Sequence, residues 1–157
     1  MHCQQTRPEP NIFKHILIPT DGSELSEKAV TNGIAFARSI GARLTVVTVS
    51  APFHIVTMDA MMVTPETEER YMKDMEQLGQ ERLNAIMEKS KAAGVPCETM
   101  HVFNNHPYDA IIATAQDKGC DLIFMASHGR RGVAALLLGG ETNKVLTHCK
   151  IPVMVWR

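Results

Sequence analysis

KHILIPTDGSELSEKA, residues 14–29, is the stretch that decides the fold, because an apolar run is followed directly by a polar turn and a helical pattern. His15–Thr20 predicts a buried strand that ends at the turn Pro-Thr-Asp-Gly. Ser23 suits the capping position of a helix whose apolar and small residues recur with a helical period until Gly41. The stretch therefore predicts a strand, a polar loop at its carboxyl end and a helix.

The same alternation continues to the end of the chain. Further strands are predicted at Leu44–Ser50, Cys97–Phe103, Asp121–Ala126 and Ile151–Trp156, and further helices at Glu66–Ala93, from Pro107 onward and at Glu141–His148. Strands separated by helices pair in parallel through right-handed crossovers. We therefore predict an α/β fold, a single domain at residues 13–157 with a doubly wound parallel sheet. A flexible polar tail is predicted at residues 1–12, and a long loop at Ala51–Pro65.

The composition excludes several classes of protein. Of 157 residues, 45% are hydrophobic and 21% are charged, which is ordinary for a folded domain and excludes disorder as the main state. The net charge of −1 excludes a broadly basic nucleic-acid binder. No apolar run approaches the roughly 18 residues of a membrane-spanning helix, and the first residues lack the apolar core of a signal peptide.

The cysteine and histidine positions favour neither disulfides nor a metal centre. The four cysteines show no CxxC spacing, and the seven histidines form no HxH or HExxH pair. We therefore expect reduced thiols in a cytoplasmic protein, and no structural metal.

Two predicted loops follow strands at the edge where ligands bind in open parallel sheets, beyond the carboxyl ends where the strand order reverses. The first loop is Pro19–Ser23, and the second begins at Ser127 and ends at Gly139-Gly140. If the first and fourth strands are neighbours, the two loops meet in one crevice.

The second loop has the properties of a phosphate-binding loop. Its glycines, at positions 129, 132, 139 and 140, let backbone N–H groups approach an anion, and Gly139-Gly140 leads into a helix N-terminus. Arg130 and Arg131 add positive charge. The alternative is that these glycines only form tight turns and a cap, and no Walker GK[ST] sequence is present.

Asp21 is the acidic side chain of the first loop. Its carboxylate is placed to accept hydrogen bonds from an adenine amino group or a ribose, and an Asx-turn or helix cap is the alternative role. A phospho-acceptor site would need a second acidic pair and a lysine after the last strand, which the chain lacks. Ser127 and His128 are not expected to act as nucleophile and base, because adjacent residues seldom face each other and no GxSxG surrounds them.

Three segments together resemble the universal stress protein family. They are KHILIPTDGSELSEKA at 14–29, GCDLIFMASHGRRG at 119–132 and LLLGGETNKVLTHCKIPVMVWR at 136–157. The resemblance covers residues 13–157. It implies a five-stranded parallel sheet in the order 3-2-1-4-5, a homodimer and, in one branch of the family, bound ATP or AMP.

That nucleotide-binding branch carries the motif G-x2-G-x9-G-[ST], which this chain matches in part. The corresponding frame is Ala126-x2-Gly129-x9-Gly139-Gly140. Ala126 replaces the first glycine, and Gly140 replaces the residue whose hydroxyl would contact phosphate. Losing one hydrogen bond to a charged group costs on the order of 1.5–3 kcal/mol, so we expect weakened binding.

The resemblance also implies a role for each residue of the site. Pro19, Thr20 and Asp21 would line the adenine–ribose side, the Val49 backbone would meet the adenine edge, Met125 and Ala126 would form the floor, and Gly129, Arg130, Gly139, Gly140 and Glu141 would surround the phosphates. ATP or AMP, with or without Mg²⁺, is the expected ligand. The final strand would pair with its copy in a homodimer, with Val153 and Val155 in the contact.

Two functional hypotheses follow. The first is a cytoplasmic stress-response regulator that binds an adenine nucleotide, with weak or no ATP hydrolysis. The second is a nucleotide-free dimeric stress protein that acts through its surface. The intact nine-residue spacer favours the first, whereas Ala126 and Gly140 favour the second.

Overall fold

Five strands and four helices alternate along the chain in the computed structural model, which describes residues 12–53, 64–129 and 138–157. The elements are β1 (His15–Pro19), α1 (Glu24–Ile40), β2 (Arg43–Ser50), α2 (Pro65–Ala92), β3 (Cys97–Phe103), α3 (Pro107–Asp117), β4 (Leu122–Ala126), α4 (Gly140–His148) and β5 (Val153–Trp156). Every predicted element is present with its ends shifted by no more than two residues. The predicted α/β fold is therefore confirmed.

The sheet is parallel throughout and has the order β3-β2-β1-β4-β5. β1 lies at its centre, where Ile16 pairs with both Leu44 of β2 and Leu122 of β4. The chain builds outward from β1 on one side and then crosses to build on the other. The strand order therefore reverses between β1 and β4, as predicted, and this edge of the sheet is the ligand-binding position of the fold class.

Both faces of the sheet are covered, which explains why the strand sequences are continuously apolar rather than alternating. Ile16 and Ile18 of β1 pack against α1 and α2, whereas Leu17 packs against α3 and α4. The helices contribute their apolar stripes to the two cores. The main contributors are Ala29, Val30, Leu83 and Ile86 on the first face, and Ile111, Ala115 and Val145 on the second.

Local chemistry fixes the ends of the helices. Ser23 precedes α1, and its hydroxyl accepts a hydrogen bond from the Ser26 N–H at 3.3 Å, as the sequence predicts. Gly41 ends α1 with a φ of 67°, in the left-handed region that favours glycine. Thr64 caps α2 in the same way, and Pro65 occupies its first turn.

Some sequence predictions fall outside the described residues. They are the tail, apart from Ile12, most of the Ala51–Pro65 loop, and the positions of Arg130, Arg131 and Gly132. Within the described ranges, none of the helices combines the length and the apolar character needed to cross a bilayer.

Candidate functional site

The loops that follow β1 and β4 touch each other at the carboxyl edge of the sheet. A Cβ placed on Gly129 would lie 3.1 Å from Cγ of Asp21 and would overlap its Oδ2 atom. Only a residue without a side chain allows this approach of the two loops. The two loops therefore meet at this edge of the sheet, as the sequence predicts.

Asp21 forms the Asx-turn that the sequence left open as an alternative role. Its Oδ1 atom accepts a hydrogen bond from the Ser23 N–H at 3.0 Å. Oδ2 is the oxygen nearest to Gly129, and the side chain is half-buried. An ionised carboxylate has about four acceptor positions, so the turn and a ligand contact are compatible.

Pro19 and Thr20 are buried beneath this turn. The Thr20 N–H donates to the Val47 carbonyl at 2.9 Å, and its hydroxyl accepts from the Gly22 N–H at 3.2 Å and lies 3.1 Å from the Ser26 hydroxyl. The Thr20 side chain therefore fixes the shape of the loop from inside.

Val49 lies where β2 continues past the end of β1. The β1–β2 register ends at Pro19 opposite Val47, whereas β2 stays paired with β3 as far as Ser50. The Val47 carbonyl points toward β1, and backbone direction repeats every two residues along a strand. The Val49 backbone therefore points toward the space above the end of β1, where the predicted adenine edge would lie.

The loop after β4 is pinned together at its two ends. The Gly139 N–H donates to the Ser127 carbonyl at 2.8 Å, and a Cβ on Gly139 would lie 3.0 Å from the His128 Cα. Gly139 is also the N-cap of α4, which has no side-chain capping bond. Among the described residues, no side chain caps the first N–H groups of α4, and a helix N-terminus of this kind favours an anion.

Gly140 lies in more open surroundings than Gly129 and Gly139. Among the described residues, no heavy atom lies within 4 Å of a Cβ built on it. A serine side chain at this position would therefore meet no obstacle from the part of the chain that the structure describes.

Glu141 is held away from the glycine loop. Its Oε2 atom accepts from the Tyr108 N–H at 2.8 Å, and its Oε1 atom pairs with Lys144 at 3.0 Å. The carboxylate therefore caps α3, which the predicted place of Glu141 among the phosphate-binding residues did not foresee. Lys144 partly neutralises the charge of this carboxylate. Glu141 lies in the first turn of α4, and it contributes its backbone rather than its side chain to the N-terminus of that helix.

Met125 and Ala126 are both buried at the end of β4, on opposite faces. Met125 packs in the core beneath α3 and α4, and Ala126 in the core beneath α1 and α2. The Ala126 carbonyl accepts from the Thr142 hydroxyl at 3.0 Å, which ties α4 to the strand. Both residues therefore belong to the packed cores directly beneath the start of the glycine loop.

Ser127 and His128 do face each other, contrary to the sequence argument. The chain bends at Ser127, so the alternation of a strand no longer separates neighbouring side chains, and the Ser127 Oγ lies 3.1 Å from the His128 Nδ1. Ser127 is buried, and its N–H donates to the Trp156 carbonyl at 2.7 Å. The pair fixes the start of the glycine loop.

Arg82 of α2 also reaches this edge, and the sequence analysis did not identify it. Its Nη1 donates to the Thr48 hydroxyl at 2.9 Å, and its guanidinium lies against Gly22. The available signal was its position three residues after buried Gly79 and next to buried Leu83, on the edge of the apolar stripe.

His101 lies beside Thr48 in the register and is a second polar group near this edge. Burial lowers its pKa, the charge of Glu76 raises it and Arg82 lowers it, with a lower value as the net result. Arg82 is thus the permanent cation here. In the parts of the chain that the structure describes, no three His, Cys, Asp or Glu side chains are grouped so that they could hold a metal ion.

β5 forms one edge of the sheet, because β4 is its one neighbour among the strands that the structure describes. Val153 and Val155 are half-buried on the α3–α4 face, Met154 is exposed, and Trp156 stacks on Phe124 with ring centroids 6.2 Å apart. The predicted contact residues therefore lie on an unpaired strand edge.

Comparison with known proteins connects this geometry to one family. The model of the universal stress protein family matches residues 12–157. A universal stress protein of Thermus aquaticus is 31% identical over 146 residues, covering 93% of this chain and all of the relative.

Solved structures show the same architecture. The structure of MJ0577, a universal stress protein of Methanocaldococcus jannaschii, superposes with a TM-score of 0.77 at 27% identity, covering 90% of this chain and 94% of the other. A universal stress protein in complex with cAMP superposes with a TM-score of 0.64 at 23% identity, covering 92% and 97% of the two chains.

Proposed function

Because the chain belongs to the universal stress protein family, we propose that it binds an adenine nucleotide, ATP or AMP, in the crevice between the carboxyl ends of β1 and β4. The observation that carries the proposal is the contact of Gly129 with Asp21, which joins an anion-binding loop to a carboxylate suited to a nucleoside. In this proposal the protein is a cytoplasmic regulator of the stress response.

The nucleoside occupies the β1 side of the crevice. Asp21 accepts hydrogen bonds from the ribose or the adenine amino group, while the Val49 backbone above the end of β1 meets the adenine edge. Thr20 and Pro19 hold the loop beneath them. A universal stress protein of this fold has been solved with cAMP, which also contains adenine and ribose, and this supports the class of ligand.

The phosphates occupy the β4 side. Backbone N–H groups around Gly129 and at the start of α4 attract the anion, and the capping role of Glu141 keeps its carboxylate on α3. Arg130 is assigned to the same group from the family resemblance. Mg²⁺ can accompany the phosphates, whose oxygens suit it.

The proposed role is regulatory rather than enzymatic, with weak or no ATP hydrolysis. The Asp21 carboxylate already fixes the turn through Ser23, and the Ser127 hydroxyl is buried against His128. Neither group is presented as a general base or nucleophile. A nucleotide bound in the crevice would act by changing the surfaces that partner proteins recognise.

Titration calorimetry with ATP, AMP and adenosine tests this function. We expect micromolar binding by the native chain and about tenfold tighter ATP binding by Gly140→Ser, because the new hydroxyl restores one bond to a charged phosphate. Gly140→Ala, which adds only a methyl group in the same open space, is the control. If the native chain and Gly140→Ser both show no heat with millimolar ATP, the nucleotide function is wrong.

A homodimer through β5 is the second candidate property, and the unpaired apolar edge of that strand favours it. Antiparallel pairing of two β5 strands would place Val153 and Val155 in the contact. Light scattering should show a dimer at micromolar concentration, and deletion of residues 152–157 should abolish it. A dimer that binds no nucleotide would support the second hypothesis, a stress protein that acts through its surface alone.

A further inference from the structure

We propose that Arg82 is a positioning residue for the nucleotide site, which it serves by holding the β1–α1 loop on both sides of Asp21. The inference rests on the proposed function. Arg82 projects from α2, an element outside the two loops that form the crevice, and is half-buried between α2 and the carboxyl edge of the sheet.

Two successive hydrogen bonds, which share the Thr48 hydroxyl, connect Arg82 to Thr20. The Arg82 Nη1 donates to the Thr48 hydroxyl at 2.9 Å, and that hydroxyl donates to the Thr20 carbonyl at 2.9 Å. A guanidinium only donates, so the Thr48 oxygen accepts from Arg82, and its single proton is directed to Thr20. Thr48 is fully buried, and a charge-assisted bond of this kind is stronger than a neutral one.

Arg82 also contacts Gly22 directly. A Cβ on Gly22 would lie 2.7 Å from Cζ and Nη2 of Arg82, so the guanidinium lies directly beside Gly22. Gly22 has a φ of 73°, and its N–H donates to the Thr20 hydroxyl. Glycine is therefore required here both for the left-handed backbone and for the approach of Arg82.

Asp21 lies in the sequence between Thr20 and Gly22. Arg82 fixes Thr20 from one side through Thr48 and Gly22 from the other by contact. A cation that belongs to α2 thus positions the carboxylate that recognises the nucleoside. A lysine would supply a charge to Thr48 but no planar group to cover Gly22, so arginine is the suitable residue.

The experiment compares adenosine and ATP binding in Arg82→Met, Arg82→Lys and the control Arg70→Met, an exposed arginine on the same helix. We expect Arg82→Met to weaken both ligands by the same factor, about tenfold, as for the loss of one charge-assisted bond. Arg82→Lys should recover part of the affinity, and Arg70→Met should match the native chain.

A double-mutant cycle with Thr48→Val gives the second readout. If Arg82 acts through Thr48, the double variant binds adenosine only slightly more weakly than the worse single variant. Additive losses of adenosine affinity would mean that Arg82 does not act through Thr48, and a loss confined to ATP would indicate direct contact with phosphate. Either result would overturn the proposal.

Each remaining outcome is decisive. If the native chain binds neither ligand, both the proposed function and this inference fail. If it binds and Arg82→Met binds equally well, only the inference fails, and a lower Tm of that variant would then identify a structural role. If Arg82→Met does not fold, Arg82→Lys and Thr48→Val decide through the same comparison of adenosine with ATP.

Discussion

At the amino edge of the sheet, the Asp121 carboxylate accepts from the backbone N–H groups of Lys14 and His15, at 2.9 and 3.0 Å. At the carboxyl edge, the Asp21 carboxylate accepts from Ser23 and faces the backbone of Gly129. Both acids stabilise a bend beside a central strand. The acid of the amino edge binds two backbone N–H groups of the central strand region, whereas the acid of the carboxyl edge faces a glycine of the opposite loop.

The other polar groups at the two edges follow the same division. The His15 Nε2 lies 2.8 Å from the Thr45 hydroxyl, and burial raises the pKa of the nearby Cys120 thiol to about 11, so the thiol stays protonated. At the carboxyl edge the corresponding group is Arg82, a permanent cation beside a half-buried loop. The polar groups of the amino edge thus stabilise the fold, and the carboxyl edge is where we propose that the nucleotide binds.

Gly129→Val should have the largest effect on binding. Its branched side chain would occupy the position of the Asp21 carboxylate and separate the two loops, so we expect nucleotide binding to be lost in calorimetry. Gly140→Ala is the matched control, since its methyl group meets open space. Retained ATP affinity in Gly129→Val would show that the nucleotide does not use this junction.

Asp121→Ala should have the largest effect on stability. It leaves the N–H groups of Lys14 and His15 without their carboxylate partner, at a cost of about 1–3 kcal/mol in the free energy of unfolding. Urea denaturation measures the loss, and adenosine affinity of the folded variant should be unchanged. A change in affinity would contradict the division between the two edges.

Asp21→Ala should show the opposite pattern. We expect affinity for ATP and for adenosine to fall alike, by about tenfold, because the contacts of Asp21 are with the nucleoside. The loss of its bond to Ser23 should cost less stability than Asp121→Ala. Equal losses of stability in the two variants, with binding intact, would mean that both carboxylates are structural.

The pH dependence of stability gives the smallest effect. Burial, reinforced by Arg43, lowers the pKa of His15 below its ordinary value of 6.5, against the opposing charges of Glu98 and Asp121. As the pH falls through 6.5, the unfolded chain therefore takes up the proton before the folded one, and stability decreases.

His15→Gln should reduce that acid-side loss, by at most about 1.4 kcal/mol for each unit by which the pKa is lowered. Unfolding free energies at mildly acidic and neutral pH measure it, with the exposed His148→Gln as the control. An unchanged slope in His15→Gln would mean that His15 does not titrate differently on folding.

The elements of the fold were predictable because they are local. The apolar run at His15, the cap at Ser23 and the stop at Gly41 each depend on neighbours in the sequence, and β/α alternation then implies parallel pairing. The meeting of the two loops followed from that topology. None of this required knowledge of a long-range contact.

The site was less predictable because its side chains depend on distant partners. Arg82 meets Thr48 across 34 residues, and Glu141 meets Tyr108 across 33. Nothing near either residue in the sequence indicates its partner. The contact between Ser127 and His128 was missed for a different reason, since adjacent residues seldom face each other and the sequence showed no sign of the bend at Ser127.

The central position of β1 has a consequence for the synthesis of the chain. β1 emerges first, yet its β4 neighbour follows 106 residues later, the separation between His15 and Asp121. The half from β1 to β3 has its helices and two pairings before the other half exists, and contacts so distant in sequence form late in folding. Until then one edge of β1 is open and Gly129 has not reached Asp21. The proposed nucleotide, which would require both loops, would therefore bind only chains that have been completed through α4, and its binding would distinguish such chains from nascent or truncated ones.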